Sequence, residues 1–131
     1  MFTATDLASI SGTGNIRFVT VINNLGNDYN SSSGVFTCRI AGQYWFSASI
    51  TKIDFEGVEQ IYCYIMINGS IKMMMYHDEV NPLHALFSMT VSGGFHLNRG
   101  DRVQVGDCGN PGFLGGGTYS YFSGVLIKSD V

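Results

Sequence analysis

The residues that could carry out catalytic chemistry are few and scattered along the chain. The histidines are His77, His84 and His96, and no Gly-x-Ser-x-Gly elbow or separable Ser, His and Asp set accompanies them. Gly115-Gly116-Gly117 lacks the lysine and the following helix that a phosphate-binding loop needs. The sequence therefore predicts a protein that is not an enzyme.

The one local cluster of titratable groups is His77-Asp78-Glu79. Hard cations such as calcium bind several oxygens from carboxylates, carbonyls and water. Neighbouring carboxylates point in different directions, so a site at Asp78 and Glu79 would need oxygens from backbone carbonyls or from other subunits. Asp107 and Asn110 offer further oxygens in another predicted loop. The alternative is that all of these are solvated surface groups; weak calcium binding at Asp78 and Glu79 is the prediction, and no other cofactor is expected.

The cysteines Cys38, Cys63 and Cys108 form an odd set, which intramolecular disulfides cannot pair completely. None of them has the Cys or His spacing of a zinc site. Cys38 is expected to be a small buried apolar residue. A disulfide between Cys63 and Cys108 is possible, but the sequence does not decide it, because a disulfide depends on the separation of the Cα atoms.

Two Asn-x-Ser triplets, Asn30-Ser31-Ser32 and Asn68-Gly69-Ser70, match the N-glycosylation acceptor pattern. They matter only if the protein is exported. Asn30 lies in a predicted polar loop and is the better acceptor. Asn68 is expected to be held by a tight turn, because Asn-Gly is the strongest short hairpin signal and both central residues of that turn need positive φ.

Strands must position these residues, since helix signals are nearly absent and period-two patterns recur. In the segment 44–51, Tyr44, Phe46, Ala48 and Ile50 are predicted to share one face. The segment 61–67 is apolar on both faces, so one face can fill a core and the other needs a second sheet or a neighbouring subunit. The residues of that second face, the predicted subunit contact, are Tyr62, Tyr64 and Met66.

Further strands are expected at 84–97, with an interruption at Gly93-Gly94 as an option, at 102–105 and at 118–128. A Gly-rich loop is expected over 107–117. About eight to ten strands separated by turns indicate an all-β antiparallel sandwich or jelly roll. Because no linker, charge run or internal repeat divides the chain, residues 1–131 are predicted to form one domain.

The composition limits the classes of partner. Charged residues make up 13% of the 131-residue chain, about half the usual share near 25%, which suggests surface buried against partner chains. The net charge of -3 argues against nucleic acid. No apolar run approaches the roughly 20 residues needed to span a membrane, so no membrane insertion is expected. The first ten residues do not have the pattern of a signal peptide.

Three blocks resemble the globular head domain of complement C1q, in the C1q and tumour-necrosis-factor superfamily. In the block 23–46 the positions similar to the family pattern are Asn24, Gly26, Tyr29, Gly34, Phe36, Gly42, Tyr44 and Phe46. The block 97–105, LNRGDRVQV, is similar to the family's Leu-x-x-Gly-Asp-x-Val, and the block 122–127, FSGVLI, to its Phe-x-Gly-x-Leu. Arg99-Gly100-Asp101, which spells an integrin-recognition tripeptide, is then interpreted as the family's turn, in which Asp101 caps the chain.

The resemblance implies a ten-strand jelly roll (C1q/TNF-like) that assembles as a compact homotrimer. It also implies a secreted, extracellular recognition module. Because a collagen stalk is absent from the sequence, the chain looks more like the stand-alone members of invertebrates, which serve in innate-immune recognition of microbial surfaces or glycans. Some members hold calcium through acidic residues in the loop that Asp78 and Glu79 roughly match, but no second family aspartate is found at Leu86, Phe87 or Ser88.

The leading hypothesis is therefore a lectin-like homotrimer that binds microbial polysaccharide, lipopolysaccharide or another glycan through equivalent sites. An aromatic face against a sugar ring, together with charged hydrogen bonds, is a common way to hold such a ligand. The predicted contact residues are Tyr119, Tyr121, Arg102 and Lys72. The alternatives are a cytokine-like or adhesive ligand for a protein receptor, and an extracellular structural or matrix protein.

Overall fold

The computed structural model describes residues 1–10, 14–53, 60–78, 86–109, 114–115 and 120–131. Within these ranges the side chains at 9, 52–53, 60–61, 77–78, 86–87 and 114–115 are not described. The secondary structure of the described ranges is entirely β. The strands are β1 (Phe2–Ser9), β2 (Ile16–Asn24), β3 (Tyr29–Asn30), β4 (Val35–Thr37), β5 (Gly42–Ile53), β6 (Gln60–Ile67), β7 (Ser70–Asp78), β8 (Leu86–Leu97), β9 (Arg102–Gly109), β10 (Leu114–Gly115) and β11 (Tyr121–Ser129).

The strands form two antiparallel sheets. Sheet I has the order β8-β5-β11-β1-β2, and sheet II has the order β3-β4-β9-β6-β7. The two-residue β10 pairs with Thr51 and Lys52 of β5, on the same edge where β11 pairs with residues 42–49, so β10 only prolongs that edge. Two sheets of five strands remain, and the predicted ten-strand jelly roll is confirmed.

The core lies between the sheets and is dominated by aromatic rings. Phe2 stacks on Tyr29 with ring centroids 4.8 Å apart and meets Phe122 edge-on at 4.9 Å. Phe36 meets Phe46 edge-on at 5.4 Å. The predicted inward face of β5 is confirmed, since all four of its alternating side chains are buried. Aromatic pairs in these geometries stabilise a sandwich beyond the area that they bury.

The structure joins Cys63 of β6 to Cys108 of β9 by a disulfide, with the Cα atoms 4.1 Å apart. Both cysteines are buried in the core. The sequence left this bridge open, and the pairing of β6 with β9 decides it. Cys38 is free and buried, as predicted.

The predicted strand 84–97 is found as β8 over Leu86–Leu97, with His84 outside the described residues. It runs through Gly93-Gly94 without interruption, because both glycines pair with β5. The Met73 side chain lies over Gly93, where an added Cβ would be 2.6 Å from its sulfur. β9 continues to Gly109, into the predicted loop, and the last strand spans Tyr121–Ser129.

The predicted turn at Asn68-Gly69 is also found. Asn68 and Gly69 have φ of 51° and 79°, which confirms the hairpin turn with positive φ at both central residues. Gly42, one of the family-pattern positions, begins β5. A side chain there would come within 2.3 Å of the carbonyl oxygen of Lys128, so the close approach of β11 requires glycine.

Candidate functional site

The turn between β6 and β7 is fastened to the first residue of β9. The backbone N–H of Asn68 donates to the carbonyl oxygen of Arg102 at 2.8 Å, and the Asn68 side-chain Oδ1 accepts from the N–H of Arg102 at 2.9 Å. The Asn68 Nδ2 donates to Oδ1 of Asp101 at 3.0 Å. These three bonds fix the backbone from which the Arg102 side chain extends.

Asp101 is occupied within its own turn. Its second carboxylate oxygen, Oδ2, accepts from the N–H of Asn98 at 2.8 Å. The hydrogen bonds from Asn68 and Asn98 hold the pKa of Asp101 below its usual range. The predicted capping role of Asp101 in the Arg99-Gly100-Asp101 turn is thus confirmed, and the carboxylate is bound to Asn98 of its own turn and to Asn68 rather than to the Arg102 side chain.

Beside this turn lies a hollow of about 260 Å³ on sheet II. The residues that line it are Val35, Asn68, Gly69, Arg102 and Gln104. Arg102 is exposed, and in the described part of the chain its guanidinium has no ion-pair partner. Lys72, another exposed cation, is the extra residue where the register of β6 and β7 shifts. The hollow therefore combines a rigidly based cation with two side-chain amides.

The outer face of sheet II continues from this hollow as an apolar surface. Tyr62, Tyr64 and Met66 lie on it, half-buried, and pair with Tyr76, Met74 and Ile71 of β7. Met74 is 53% exposed. The Tyr62 ring lies across the backbone of Gly109, where an added Cβ would come within 2.5 Å. The outward orientation of this face agrees with the predicted alternation of β6.

The outer face of sheet I is different in character. Residues paired across β8, β5 and β11 form rows on this face, and several rows carry small hydroxyl side chains. The hydroxyl of Thr90 bonds to that of Ser49 at 3.0 Å, and the hydroxyls of Thr51 and Ser88 are 3.1 Å apart. Trp45, 47% exposed, lies at one end beside Gly94. The further partners on this face are Ser47, Ser92, Tyr121, Ser123 and Val125. These described rows carry no charged side chain; the next row, in which Gln43 pairs with His96 and Lys128, holds Lys128 and the contact of His96 with Asp130.

The predicted ligand residues do not lie together. Tyr121 is on the outer face of sheet I, with its hydroxyl 3.5 Å from that of Ser47, whereas Arg102 and Lys72 belong to sheet II. Tyr119 lies outside the described residues. The alternation of β5 places Trp45, Ser47, Ser49 and Thr51 on one face, but the sequence does not mark that face as a functional surface, because only the register sets it beside the hydroxyl side chains of β8 and β11.

The predicted calcium residues lie at the limit of the described chain. Asp78 ends β7, its side chain is not described, and Glu79 lies outside the described residues. Elsewhere in the described ranges no three His, Cys, Asp or Glu side chains come close enough to hold a metal ion together. Calcium binding at Asp78 and Glu79 therefore stays a prediction.

Comparison with known proteins decides the family. The family model described as the C1q domain matches residues 1–127. The chain belongs to the C1q domain family. Among its relatives, human complement C1q tumor necrosis factor-related protein 3 is 31% identical over 98 residues, which cover 70% of this chain and 39% of the relative. A complement C1q subcomponent of the rat is 30% identical over 121 residues, covering 89% of this chain and 45% of the relative.

Two solved structures have the same fold as this C1q domain. The globular domain of zebrafish complement 1qA matches with a TM-score of 0.74 at 17% identity, over 98% of both chains. Murine APRIL matches with a TM-score of 0.72 at 12% identity, over 96% of this chain and 97% of that one. These likenesses show the shared jelly-roll fold. The C1q domain chain spans roughly two fifths to one half of the length of the curated relatives named above. The described ranges contain no helix of the length and apolarity that crossing a membrane requires.

Proposed function

We propose that this C1q domain is a secreted, non-enzymatic recognition module that forms a homotrimer and binds glycans of microbial surfaces. The observation that carries the binding part is the hollow at Arg102. The Arg102 guanidinium is exposed, and the Arg102 backbone is held by Asn68. The neighbouring carboxylate of Asp101 is bound by Asn68 and Asn98 and not by Arg102. A charged donor with adjacent amides suits the hydroxyl, carboxylate or phosphate oxygens of a glycan.

The outer face of sheet I is the better candidate for the contact between subunits. Interface cores are depleted in charge; on this face the rows of Trp45, Ser47 and Ser49 carry no charged side chain, and the charged Lys128 enters at the next row, beside Gln43. On the outer face of sheet II, Tyr62 already packs on its own chain, and Lys72 and Arg102 stand at the rim. Like charges facing one another across a contact are unfavourable. The predicted contact at Tyr62, Tyr64 and Met66 is kept as the alternative face.

Trimeric assembly supports recognition by avidity. Three equivalent hollows, each binding weakly, can engage a repetitive surface together and raise the overall affinity without new contacts. With sheet I in the contact, the Arg102 hollow on sheet II would face outward in every subunit.

A glycan-binding screen with matched variants tests this function. The probes are lipopolysaccharide and immobilised acidic and neutral oligosaccharides. Arg102→Gln is expected to weaken binding to the acidic probes by about tenfold or more, since a hydrogen bond to a charged group contributes about 1.5–3 kcal/mol. Arg99→Gln is the control, because it removes an equal charge from the adjacent turn without lining the hollow.

If the wild type binds none of the probes, the proposal of glycan recognition is overturned. Binding to cell surfaces that survives enzymatic removal of glycans would instead support the protein-receptor alternative. An equal loss of binding in Arg102→Gln and Arg99→Gln would mean that the net charge of this region, and not the hollow, holds the ligand.

A further inference from the structure

The two Asn-x-Ser triplets use their asparagine amides in opposite ways. At the end of β3, the exposed Asn30 accepts hydrogen bonds at Oδ1 from the N–H of Ser32 at 2.8 Å and of Ser33 at 3.4 Å. Within the described part of the chain, its Nδ2 makes no hydrogen bond. The carbonyl end of this amide therefore orients the side chain, and the nitrogen end is left to solvent.

At Asn68 both ends of the amide hold the fold. Nδ2 donates to Asp101 and Oδ1 accepts from Arg102, and the backbone has the positive φ of the β6–β7 turn. Asn68 also lines the Arg102 hollow. A substituent on its Nδ2 would compete with the bond to Asp101 and would enter the hollow.

We propose that the exported protein carries an N-linked glycan on Asn30 and none on Asn68. This inference rests on the export that the proposed function includes. In the transfer, the first sugar's C1–O bond to a polyprenyl-diphosphate carrier breaks and a C1–Nδ2 bond forms. The amide nitrogen loses one proton, and the carrier diphosphate leaves. The Oδ1 atom of Asn30 takes no part, so its bonds to Ser32 and Ser33 persist in the product.

A glycan on Asn30 would leave both the outer face of sheet I and the Arg102 hollow accessible. Asn30 lies in β3, at the edge of sheet II opposite β7. It borders two open hollows, which it shares with Asn27, and neither of them includes Arg102. A glycan there would cover this edge and leave the outer face of sheet I free for assembly. A glycan at Asn68 would obstruct the Arg102 hollow.

The test is expression of the full chain behind a cleavable secretion leader in eukaryotic cells, with the mass measured before and after N-glycosidase. The wild type is expected to show one glycosidase-sensitive mass shift. Ser32→Ala should abolish the shift, because it destroys the acceptor triplet and keeps Asn30 and the Ser32 N–H. Ser70→Ala is the matched control and should leave the shift intact, with Asn68 and its bonds unchanged.

Glycopeptide mapping assigns the site directly in the secreted and the cell-retained protein. An unshifted wild type, or a shift that disappears in Ser70→Ala and persists in Ser32→Ala, would overturn the proposal. Neither measurement depends on ligand binding or on the number of subunits. An unglycosylated Asn30 would therefore not contradict the proposed recognition function. Likewise, a negative glycan-binding screen would not contradict glycosylation of Asn30.

Discussion

The hydroxyl of Tyr29 links the two sheets at one edge of the sandwich, and its removal is a sharp test of the fold. Tyr29 lies in β3 of sheet II and is 3% exposed. Its hydroxyl donates to the carbonyl oxygen of Phe18 at 2.8 Å and accepts from the Phe18 N–H at 2.9 Å. Phe18 belongs to β2, the edge strand of sheet I, so these backbone groups face away from β1 and toward Tyr29.

Tyr29→Phe keeps the ring that stacks on Phe2 and deletes only the hydroxyl. A buried backbone N–H and a buried carbonyl of Phe18 then lose their partner. Each unsatisfied group costs about 1–3 kcal/mol, so the expected loss in the free energy of unfolding is about 2–4 kcal/mol after partial relaxation. Loss of a single weak surface contact would cost far less.

Urea unfolding at a fixed protein concentration measures the effect, because the stability of an assembling chain depends on concentration. Tyr76→Phe is the matched control: Tyr76 is 46% exposed on the outer face of sheet II, away from the proposed contact, so loss of its hydroxyl should cost no more than about 0.5 kcal/mol. Equal unfolding free energies for the two variants would refute the sheet-bridging role of Tyr29.

Three further outcomes are expected. Burial raises the pKa of Tyr29 to about 12, so its contribution to stability should be complete below about pH 10 and be lost as the pH rises through about 12; the alkaline unfolding profile should flatten in Tyr29→Phe. Replacing Cys63 and Cys108, which are 45 residues apart, by serine should lower the unfolding free energy by about 4 kcal/mol in a thermal or urea assay; an unchanged midpoint would contradict the bridge. Millimolar calcium should raise the melting temperature relative to chelator, and Asp78→Asn with Glu79→Gln should remove the difference; identical wild-type curves would eliminate the site.

The sequence alone predicted the features that depend on local pattern. Alternation along residues 44–51 correctly separated the core face of β5 from the face of Trp45, because side chains in a strand alternate whatever pairs with it. Asn68-Gly69 predicted its turn because few other dipeptides accept positive φ at both positions. The buried Cys38 follows from the usual behaviour of a free cysteine as a small apolar residue.

Features that depend on which strands are neighbours could not be predicted. The hydroxyl rows of sheet I are visible only once β8, β5 and β11 lie side by side. Tyr121 and Arg102, both predicted ligand residues, lie on different sheets, a fact that spacing along the chain does not encode. The same holds for the disulfide, which needed the register of β6 against β9.

Sedimentation equilibrium at micromolar concentration tests most directly the proposal that the C1q domain assembles as a trimer through the outer face of sheet I. The wild type is expected at three times 14.3 kDa. Trp45→Glu should dissociate to a folded monomer, because it buries a charge in the contact. Met74→Glu, an equal charge on the similarly exposed outer face of sheet II, should remain trimeric. A monomeric wild type would contradict this proposal, and dissociation of Met74→Glu with an intact Trp45→Glu trimer would move the contact to Tyr62, Tyr64 and Met66.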